Sequence, residues 1–459
     1  MYEINFKQPI HVHFIGIGGI SMSGLASILI DRGFKISGSD AKESPLTKWM
    51  EERGVTVYLR QRASNIEDGT DLVVYTAAIH PDNPEYAAAV EKNIPMLTRA
   101  ELLGQIMQNY ETPIAVSGTH GKTTTTSMIS HILLAADTDP TISVGGILKA
   151  IGGNIRVGNS ETFLTEACEY TNSFLHFNPK ISIILNIDAD HLDFFKDLDD
   201  IRNSFRLFAA RLPKDGTLII NGDIPDYEEI TKDLPCNVIT YGFSESNRYS
   251  AANISYDVFA HGSFDAVKDG KVMGHITLSV PGQHNISNAL ASLALGELLG
   301  IPMEKICQGL TDFGGTDRRF QKKGEIGGVT IIDDYAHHPT EIAATLKAAH
   351  QYPHKTIWCV FQPHTYTRTK ALMDDFATAL ALADKVVLAD IYAARETDNL
   401  GISSRTLQQK IADLGKEAYY FPCFDEIENF LLENCIHGDL LITMGAGDVV
   451  KIGESLLGE

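Results

Sequence analysis

Ser117-Gly118-Thr119-His120-Gly121-Lys122-Thr123-Thr124 constrains the fold of this chain more than any other stretch. The apolar run Pro113-Ile114-Ala115-Val116 precedes it and a helical pattern follows. A strand, a glycine turn carrying Lys-Thr and a helix together hold phosphate. The N–H groups of the turn and of the helix N-terminus face the anion, and Lys122 adds a full charge. Thr123, directly after the lysine, suits a Mg2+ ligand. The general loop has four residues between its first glycine and the Gly-Lys pair. Here only Thr119 and His120 separate Gly118 from Gly121. The sequence therefore predicts a nucleoside triphosphate held by a shortened phosphate loop. The alternative is a glycine turn with Lys-Thr by chance, and the flanking strand and helix weigh against it.

At 459 residues the chain has length for about three domains, at ~150 residues each. The patterning divides it into residues 1–110, 111–319 and 320–459. A net charge of −21 argues against nucleic-acid binding, which needs clustered Lys and Arg. It leaves room for anionic substrates held by a few local cations. Cys168, Cys236, Cys307, Cys359, Cys423 and Cys435 form no C-x-x-C pair. Each lies beside apolar or helical sequence, so buried reduced thiols are expected, not disulfides or zinc ligands. No signal-peptide apolar core and no apolar run of roughly eighteen residues occurs, so the expectation is a cytoplasmic protein without a membrane span.

The first segment opens with a strand, His11–Ile15, turns at Gly16-Ile17-Gly18-Gly19 and enters a helix. Met22, Leu25, Ala26 and Leu29 give that helix its apolar face, and Gly33 ends it. Asp40 lies 24 residues after Gly16, near the ~20-residue spacing of a ribose-binding acid. The glycine turn is only a partial dinucleotide fingerprint, because Ser21 holds the sixth position. Gly18 and Gly19 still allow a backbone approach to a pyrophosphate; a ligand-free strand–helix turn is the alternative. The second segment has strands around 181–185 and 217–220 and a long helix from about Ile286 to Leu299. In the third, strands and helices alternate, including a helix over Ala371–Leu382, which predicts βαβ units and a parallel sheet.

Glu166 follows a short apolar stretch and suits a Mg2+ ligand near the phosphates, although the residues alone favour a surface glutamate. Asn186-Ile187-Asp188-Ala189-Asp190-His191-Leu192-Asp193 follows a strand, where α/β ligands bind. His191 suits a second metal ion or the transferred phosphoryl group; a structural histidine with capping aspartates is the alternative. Asn285 reads either as an N-cap or as a partner for a nucleotide base. Asp333-Asp334-Tyr335-Ala336-His337-His338-Pro339-Thr340-Glu341 reads as a substrate loop; adjacent histidines point apart, which disfavours zinc. In Gln362-Pro363-His364-Thr365-Tyr366-Thr367-Arg368, Arg368 is a candidate carboxylate clamp.

Taken jointly, these motifs resemble the Mur ligases, which join amino acids to peptidoglycan precursors. Gly118–Thr124 is similar to the family's shortened phosphate loop. Gly16–Ser23, Asn186–Asp193, Asp333–Glu341 and Gln362–Thr369 resemble the branch that uses UDP-N-acetylmuramate and L-alanine. The likeness extends over essentially the whole chain. It implies three α/β domains: a Rossmann-like domain for the UDP end of the sugar nucleotide, a P-loop ATPase-like domain for ATP and Mg2+, and a Rossmann-like domain for the amino acid. It implies phosphorylation of the lactyl carboxylate by ATP, then attack by the alanine amine, with ADP and phosphate released. By family position Gly118 to Thr124 bind nucleotide, with Lys122 at its phosphates. Thr123 and Glu166 bind one Mg2+, and His191 serves a second metal site. Asn285 binds adenine and Arg318 reaches the nucleotide phosphates. Gly16, Gly18, Gly19 and Asp40 hold the UDP end. Tyr335, His337, His338, His364 and Arg368 line the amino-acid and muramoyl site. Lys122, Glu166, His191, His337 and Arg368 carry the catalytic expectation, in a monomer or homodimer.

Three positions depart from the family pattern. Ser21 replaces a common glycine, Thr365 stands where some members have arginine, and Cys168 interrupts the usual Glu-Ala-Asp-Glu. Cys168 is expected to be packing. A recycling ligase that attaches whole peptides to the same sugar nucleotide is the near alternative. An NAD-dependent dehydrogenase, suggested by Gly16–Gly19 and Asp40, leaves the phosphate loop unexplained.

Overall fold

The computed structural model describes residues 3–76, 78–394 and 396–459. Three sheets organise them. The first contains β1 (His11–Ile15), β2 (Lys35–Asp40), β3 (Thr56–Leu59), β4 (Leu72–Tyr75) and β5 (Met96–Thr98), in the order β3-β2-β1-β4-β5. All its pairings are parallel. The order reverses between β1 and β4, and the Gly16–Gly19 turn leaves β1 at that switch point, where α/β folds bind ligands.

The second sheet is larger. Its strands are β6 (Thr112–Ser117), β7 (Thr141–Leu148), β8 (Gly153–Arg156), β9 (Thr162–Ala167), β10 (Ile181–Ile184), β11 (Thr217–Asn221), β12 (Asn237–Tyr241), β13 (Tyr249–Tyr256), β14 (His261–Lys268) and β15 (Lys271–Pro281). They run in the order β15-β14-β13-β12-β11-β10-β6-β9-β7-β8. β6 lies between β9 and β10, parallel to both, so the phosphate loop, Glu166 and the Asn186 cluster emerge at one end of the sheet. Sequence reading missed the antiparallel extension β13-β14-β15. Its strands mix Ser, Asp, Lys and His with apolar residues, because one face stays partly solvated and the other covers the core.

The third sheet contains β16 (Gln321–Ile326), β17 (Val329–Asp334), β18 (Ile357–Phe361), β19 (Lys385–Leu388), β20 (Glu417–Tyr420) and β21 (Leu440–Met444), in the order β16-β17-β21-β18-β19-β20. The expected parallel sheet is present, with β16 added antiparallel at one edge. Its two faces carry separate apolar cores, one around Phe361 and Phe376 and the other around Trp358 and Ile427. Near-continuous apolar strands such as Ile357–Phe361 are buried along their whole length, as a sheet covered on both faces requires.

Several local expectations change. The long helix begins at Gln283, not near Ile286, and its N-cap is Gly282 at φ +94°. The expected single helix over Ala371–Leu382 is two helices, Tyr366–Ala371 and Met373–Leu380, separated at Leu372. The six cysteines are all free, but only Cys359 is fully buried and Cys423 is exposed. The first helix, Ile20–Asp31, buries Met22, Leu25, Ala26 and Leu29 as the spacing predicts. Among the described residues no helix is long and apolar enough to cross a membrane.

Candidate active site

The phosphate loop leaves the buried strand β6 and enters helix Lys122–Ala135 through Gly121 at φ +81°. A side chain there would be strained, and its Cβ would stand 2.9 Å from Asn288 Oδ1. No side chain caps this helix, and no acidic residue sits in its first turn. Its N-terminal donors and positive dipole end are thus open to an anion. Asn186 fixes the loop from the side: its Oδ1 accepts from His120 N–H at 2.7 Å and its Nδ2 donates to His120 O at 3.0 Å.

Lys122 Nζ donates to Thr119 O at 3.1 Å, to Glu169 Oε2 at 2.9 Å and to Gly118 O. Burial opposes its charge, yet the Glu169 carboxylate keeps it protonated beyond the usual lysine range. Thr123 Oγ1 donates to Glu166 Oε2 at 3.1 Å, and Glu166 Oε1 accepts from Gly145 N–H at 2.5 Å. Burial pushes the Glu166 carboxyl up. Glu169 is 2% exposed and, among the described residues, its Oε1 has no hydrogen-bond partner. A half-buried hydroxyl–carboxylate pair beside an under-satisfied second carboxylate is a donor set of hard oxygens, which fits Mg2+. His191 stands nearby at φ +53°, with Nε2 3.9 Å from Glu169 Oε1 and its ring stacked on Tyr170 at 4.5 Å.

The third-sheet loops close onto this end of the second sheet. Arg368 Nε donates to Asp190 Oδ1 at 2.9 Å, and Thr340 Oγ1 donates to Asp188 Oδ2 at 2.7 Å. The charge of Arg368 outweighs burial and holds the Asp190 carboxyl far below its usual range. His338 caps helix Pro339–Ala349, and its Nε2 lies 3.0 Å from Ala189 O; a carbonyl only accepts, so Nε2 carries the proton. His337 Nδ1 lies 3.0 Å from Tyr335 O, and burial lowers its pKa to about 4.

The His120 side chain stands between two carboxylates. Nδ1 lies 3.3 Å from Glu341 Oε1 and Nε2 lies 3.3 Å from Asp188 Oδ2, the latter too poorly aligned for a hydrogen bond. Burial opposes protonation, but the two carboxylates win and raise its pKa to about 9. Glu341 also accepts from His337 N–H at 3.1 Å. The phosphate loop and the Tyr335–His338 loop are thereby joined through one carboxylate. Among the described residues His120, Asp188 and His338 are the one trio of His, Cys, Asp or Glu side chains spaced for a cation. A protonated His120 makes that trio a charge network, and Mg2+ prefers oxygen donors to imidazole.

Two cavities flank the loop. One, of about 210 Å³, is lined by His120, Gly121, Thr124, His284, Asn285 and Arg319, among others. Asn285 donates to Pro281 O at 2.8 Å and accepts from Asn288 Nδ2 at 3.1 Å, so it is a cavity wall and not the N-cap. The other, of about 390 Å³, is lined by Tyr170, Asp190, His191, His364, Arg368 and Glu396, among others. In the first sheet, Asp40 Oδ2 accepts from Gly18 N–H at 2.9 Å, at the mouth of the glycine turn.

Sequence comparison adds to this geometry. Family models described as "Mur ligase family, catalytic domain", "Mur ligase middle domain" and "Mur ligase, glutamate ligase domain" match residues 11–111, 116–296 and 318–447. The UDP-N-acetylmuramate–L-alanine ligase of Agathobacter rectalis is 64% identical, with 100% of each chain covered. The chain belongs to the Mur ligase family. Among solved structures, the UDP-N-acetylmuramate-alanine ligase of Thermotoga maritima superposes on this Mur ligase with a TM-score of 0.80 at 30% identity, covering 98% of each chain. A murein peptide ligase from Psychrobacter arcticus shares the fold, with a TM-score of 0.71 at 24% identity over 98% of each chain.

In this Mur ligase Arg318 does not face the nucleotide-sized cavity. Its Nε donates to Asp333 Oδ2 at 2.9 Å, its Nη2 donates to Gly445 O at 2.7 Å, and the guanidinium lies over the Tyr335 ring. Arg319 lines the cavity and stands 3.7 Å from Glu341 Oε1. The two arginines are adjacent in sequence, and Arg318 has a left-handed backbone at φ +61°. Glu169, Asn288, His284 and Glu341 were also missed as site residues. Glu169 had a signal: it lies three residues after Glu166, on the same strand end. His284 and Glu341 sit on helix first turns, where sequence alone does not separate caps from cavity walls, and Asn288 lies one turn further into the helix of His284. Tyr335 is covered by both arginines, and His364 stacks on Tyr392 at 5.4 Å.

Proposed function

We propose that this Mur ligase joins L-alanine to the lactyl carboxylate of UDP-N-acetylmuramate at the expense of ATP. The observation that carries the reading is the junction of the two cavities. Lys122, at the phosphate loop, is ion-paired to Glu169, and Glu169 adjoins His191 at the edge of the larger cavity. A phosphoryl group leaving the smaller cavity therefore emerges at the larger one.

In this reading the lactyl carboxylate oxygen attacks the γ-phosphorus and ADP leaves. The alanine nitrogen then attacks the acyl-phosphate carbonyl carbon, phosphate leaves and the nitrogen gives up a proton. Lys122 and the open N-terminus of helix Lys122–Ala135 hold the phosphates and stabilise charge that builds there. Thr123 and Glu166 hold Mg2+, which when bound neutralises phosphate charge, and His191 serves a second metal site. Asn285, with Asn288, faces the base, and Arg319 takes the phosphate role expected of Arg318. Gly16, Gly18, Gly19 and Asp40 take the UDP end. Tyr335, His337, His338, His364 and Arg368 frame the muramoyl and amino-acid end. The functional divisions fall at 110/111 and 319/320, and the substrates, ATP and a sugar nucleotide, put the reaction in the cytoplasm.

The high identity to relatives named as L-alanine ligases supports this reading over a peptide-recycling ligase. ADP release should require UDP-N-acetylmuramate, Mg2+ and L-alanine together. Turnover with a murein tripeptide but none with alanine would reverse the choice of amine, and turnover with neither would sink the ligase reading.

A further inference from the structure

Two loops of the third sheet are tied together beyond its strands. The chains leaving β18 and β19 continue their parallel pairing in an isolated bridge between His364 and Tyr392. Thr365 N–H donates to Tyr392 O at 2.8 Å, and Tyr392 N–H donates to Pro363 O at 2.8 Å. The first loop turns at Thr365. This residue sits at φ +66° and ψ 142°, backbone space that a β-branched side chain enters only under strain. Such strain persists only where surrounding contacts hold it. Glu396, from the second loop, supplies those contacts. Its Oε2 accepts from Tyr366 N–H and from Thr367 N–H, the latter at 3.2 Å, and its Oε1 accepts from Thr367 Oγ1.

Arg368 is the side chain that this turn aims. Its backbone N–H donates to Thr365 Oγ1 at 3.4 Å. In the side chain, Nε is spent on Asp190, and Nη1 donates to His364 Nδ1 at 3.3 Å and to His364 O at 3.4 Å. Nη2 has no acceptor among the described residues, and Arg368 and Glu396 both line the larger cavity. A guanidinium with one nitrogen of its fork unspent suits a carboxylate. Glu396 is half-buried and forms no ion pair among the described residues, so its oxygens serve the turn and not a neighbouring cation.

We infer that Glu396 is a positioning residue: it holds the strained Thr365 turn so that Arg368 presents Nη2 to a substrate carboxylate in the larger cavity. This rests on the ligase reading, in which L-alanine and the lactyl group of UDP-N-acetylmuramate each bring one carboxylate. Steady-state ADP release by the full chain, with each of the three substrates varied in turn, tests it. Glu396→Gln sets an amide NH2 against the donors of the turn. It should raise the KM for L-alanine or for UDP-N-acetylmuramate by about 10- to 100-fold and leave the KM for ATP unchanged. The substrate whose KM rises is the one whose carboxylate Arg368 holds. Glu396→Asp keeps both acceptors on a shorter arm and should recover part of the loss. Adding Thr365→Gly to Glu396→Gln should lower the raised KM by at least about threefold, because glycine keeps the turn with no carboxylate to hold it. A KM change shared by ATP would overturn the proposal, as would no change for any substrate or a double variant no better than Glu396→Gln. If the wild-type protein shows no alanine-dependent turnover, the ligase reading falls and this role falls with it.

Discussion

Lys122 and His120 lie two residues apart, yet opposite balances of burial and charge decide what each can do. Lys122 keeps its proton against burial because Glu169 is 2.9 Å away, so it can only act as a cation. Lys122→Ala should leave Glu169 and Glu166 unopposed and lower alanine-dependent ADP release by about 100- to 1,000-fold, as removal of a transition-state charge partner does. A loss under about tenfold in a steady-state assay would remove Lys122 from the chemistry. His120 is raised to about 9 by Asp188 and Glu341, against ~6.5 for a free imidazole. A raised folded-state pKa gives stability that is complete below about 6.5 and lost as pH rises through about 9. His284 and His337 are lowered to about 4 by burial, so their contribution has the opposite sign: stability rises with pH between about 4 and 6.5. The unfolding midpoint of the wild-type protein should therefore fall on the alkaline side of neutrality, and His120→Gln should flatten that limb. Parallel alkaline limbs in both proteins would contradict the ion-pair assignment. The sequence placed Lys122 and Thr123 together, because a strand–loop–helix motif is local; Glu166, 44 residues after Lys122, joined them only through the family resemblance. The charge of His120 was not legible, since its partners lie 68 and 221 residues away and meet it only through the fold.

At the scale of elements, parallel sheets were readable and their margins were not. The strand Ile357–Phe361 is apolar throughout and Ile181–Ile184 is apolar but for the buried Ser182, which is what burial on both faces demands. The β13–β15 extension alternates weakly, and the added edge strand β16 reads Gln-Lys-Lys-Gly-Glu-Ile, so neither announces itself in a hydrophobicity pattern. Close packing between elements is equally silent in sequence. Helix Arg99–Met107 crosses the turn Tyr170–His176 through Gly104, where a Cβ would stand 2.0 Å from the His176 carbonyl oxygen. That atom belongs to backbone, so relief requires the helix to move. Gly104→Ala should cost about 1–3 kcal/mol, the range of overpacked cores. Gly153, where an added Cβ would meet no heavy atom within 4 Å and φ is not positive, provides the contrast. Gly153→Ala should stay within about 0.5 kcal/mol. Equal denaturation midpoints for the two variants would show that the Gly104 contact is not tight.

Across the whole molecule, the site exists only while the third sheet rests on the second. Arg368–Asp190, Thr340–Asp188, His338–Ala189 and His120–Glu341 all cross that boundary, and each uses a residue that also lines a cavity or adjoins one. Binding surfaces and closing contacts are therefore largely the same side chains, which couples assembly of the site to the approach of the two sheets. Arg368–Asp190 is the most shielded of the ion pairs among these contacts, with the partners 12% and 5% exposed. Removing one member of such a pair leaves the other charge buried without compensation, at a cost of about 3–5 kcal/mol. Asp190→Asn keeps the shape and removes the charge. The closed arrangement relieves that cost by separating, which lets Arg368 reach water. The radius of gyration from small-angle scattering should increase in the variant, and alanine-dependent ADP release should fall by about 10- to 100-fold as the larger cavity loses its second wall. An unchanged scattering profile together with unchanged turnover would mean that the ion pair neither holds the sheets together nor prepares Arg368 for its substrate. A compact variant that has lost turnover would assign the pair to positioning Arg368 alone, and closure would then rest on His120 and Glu341.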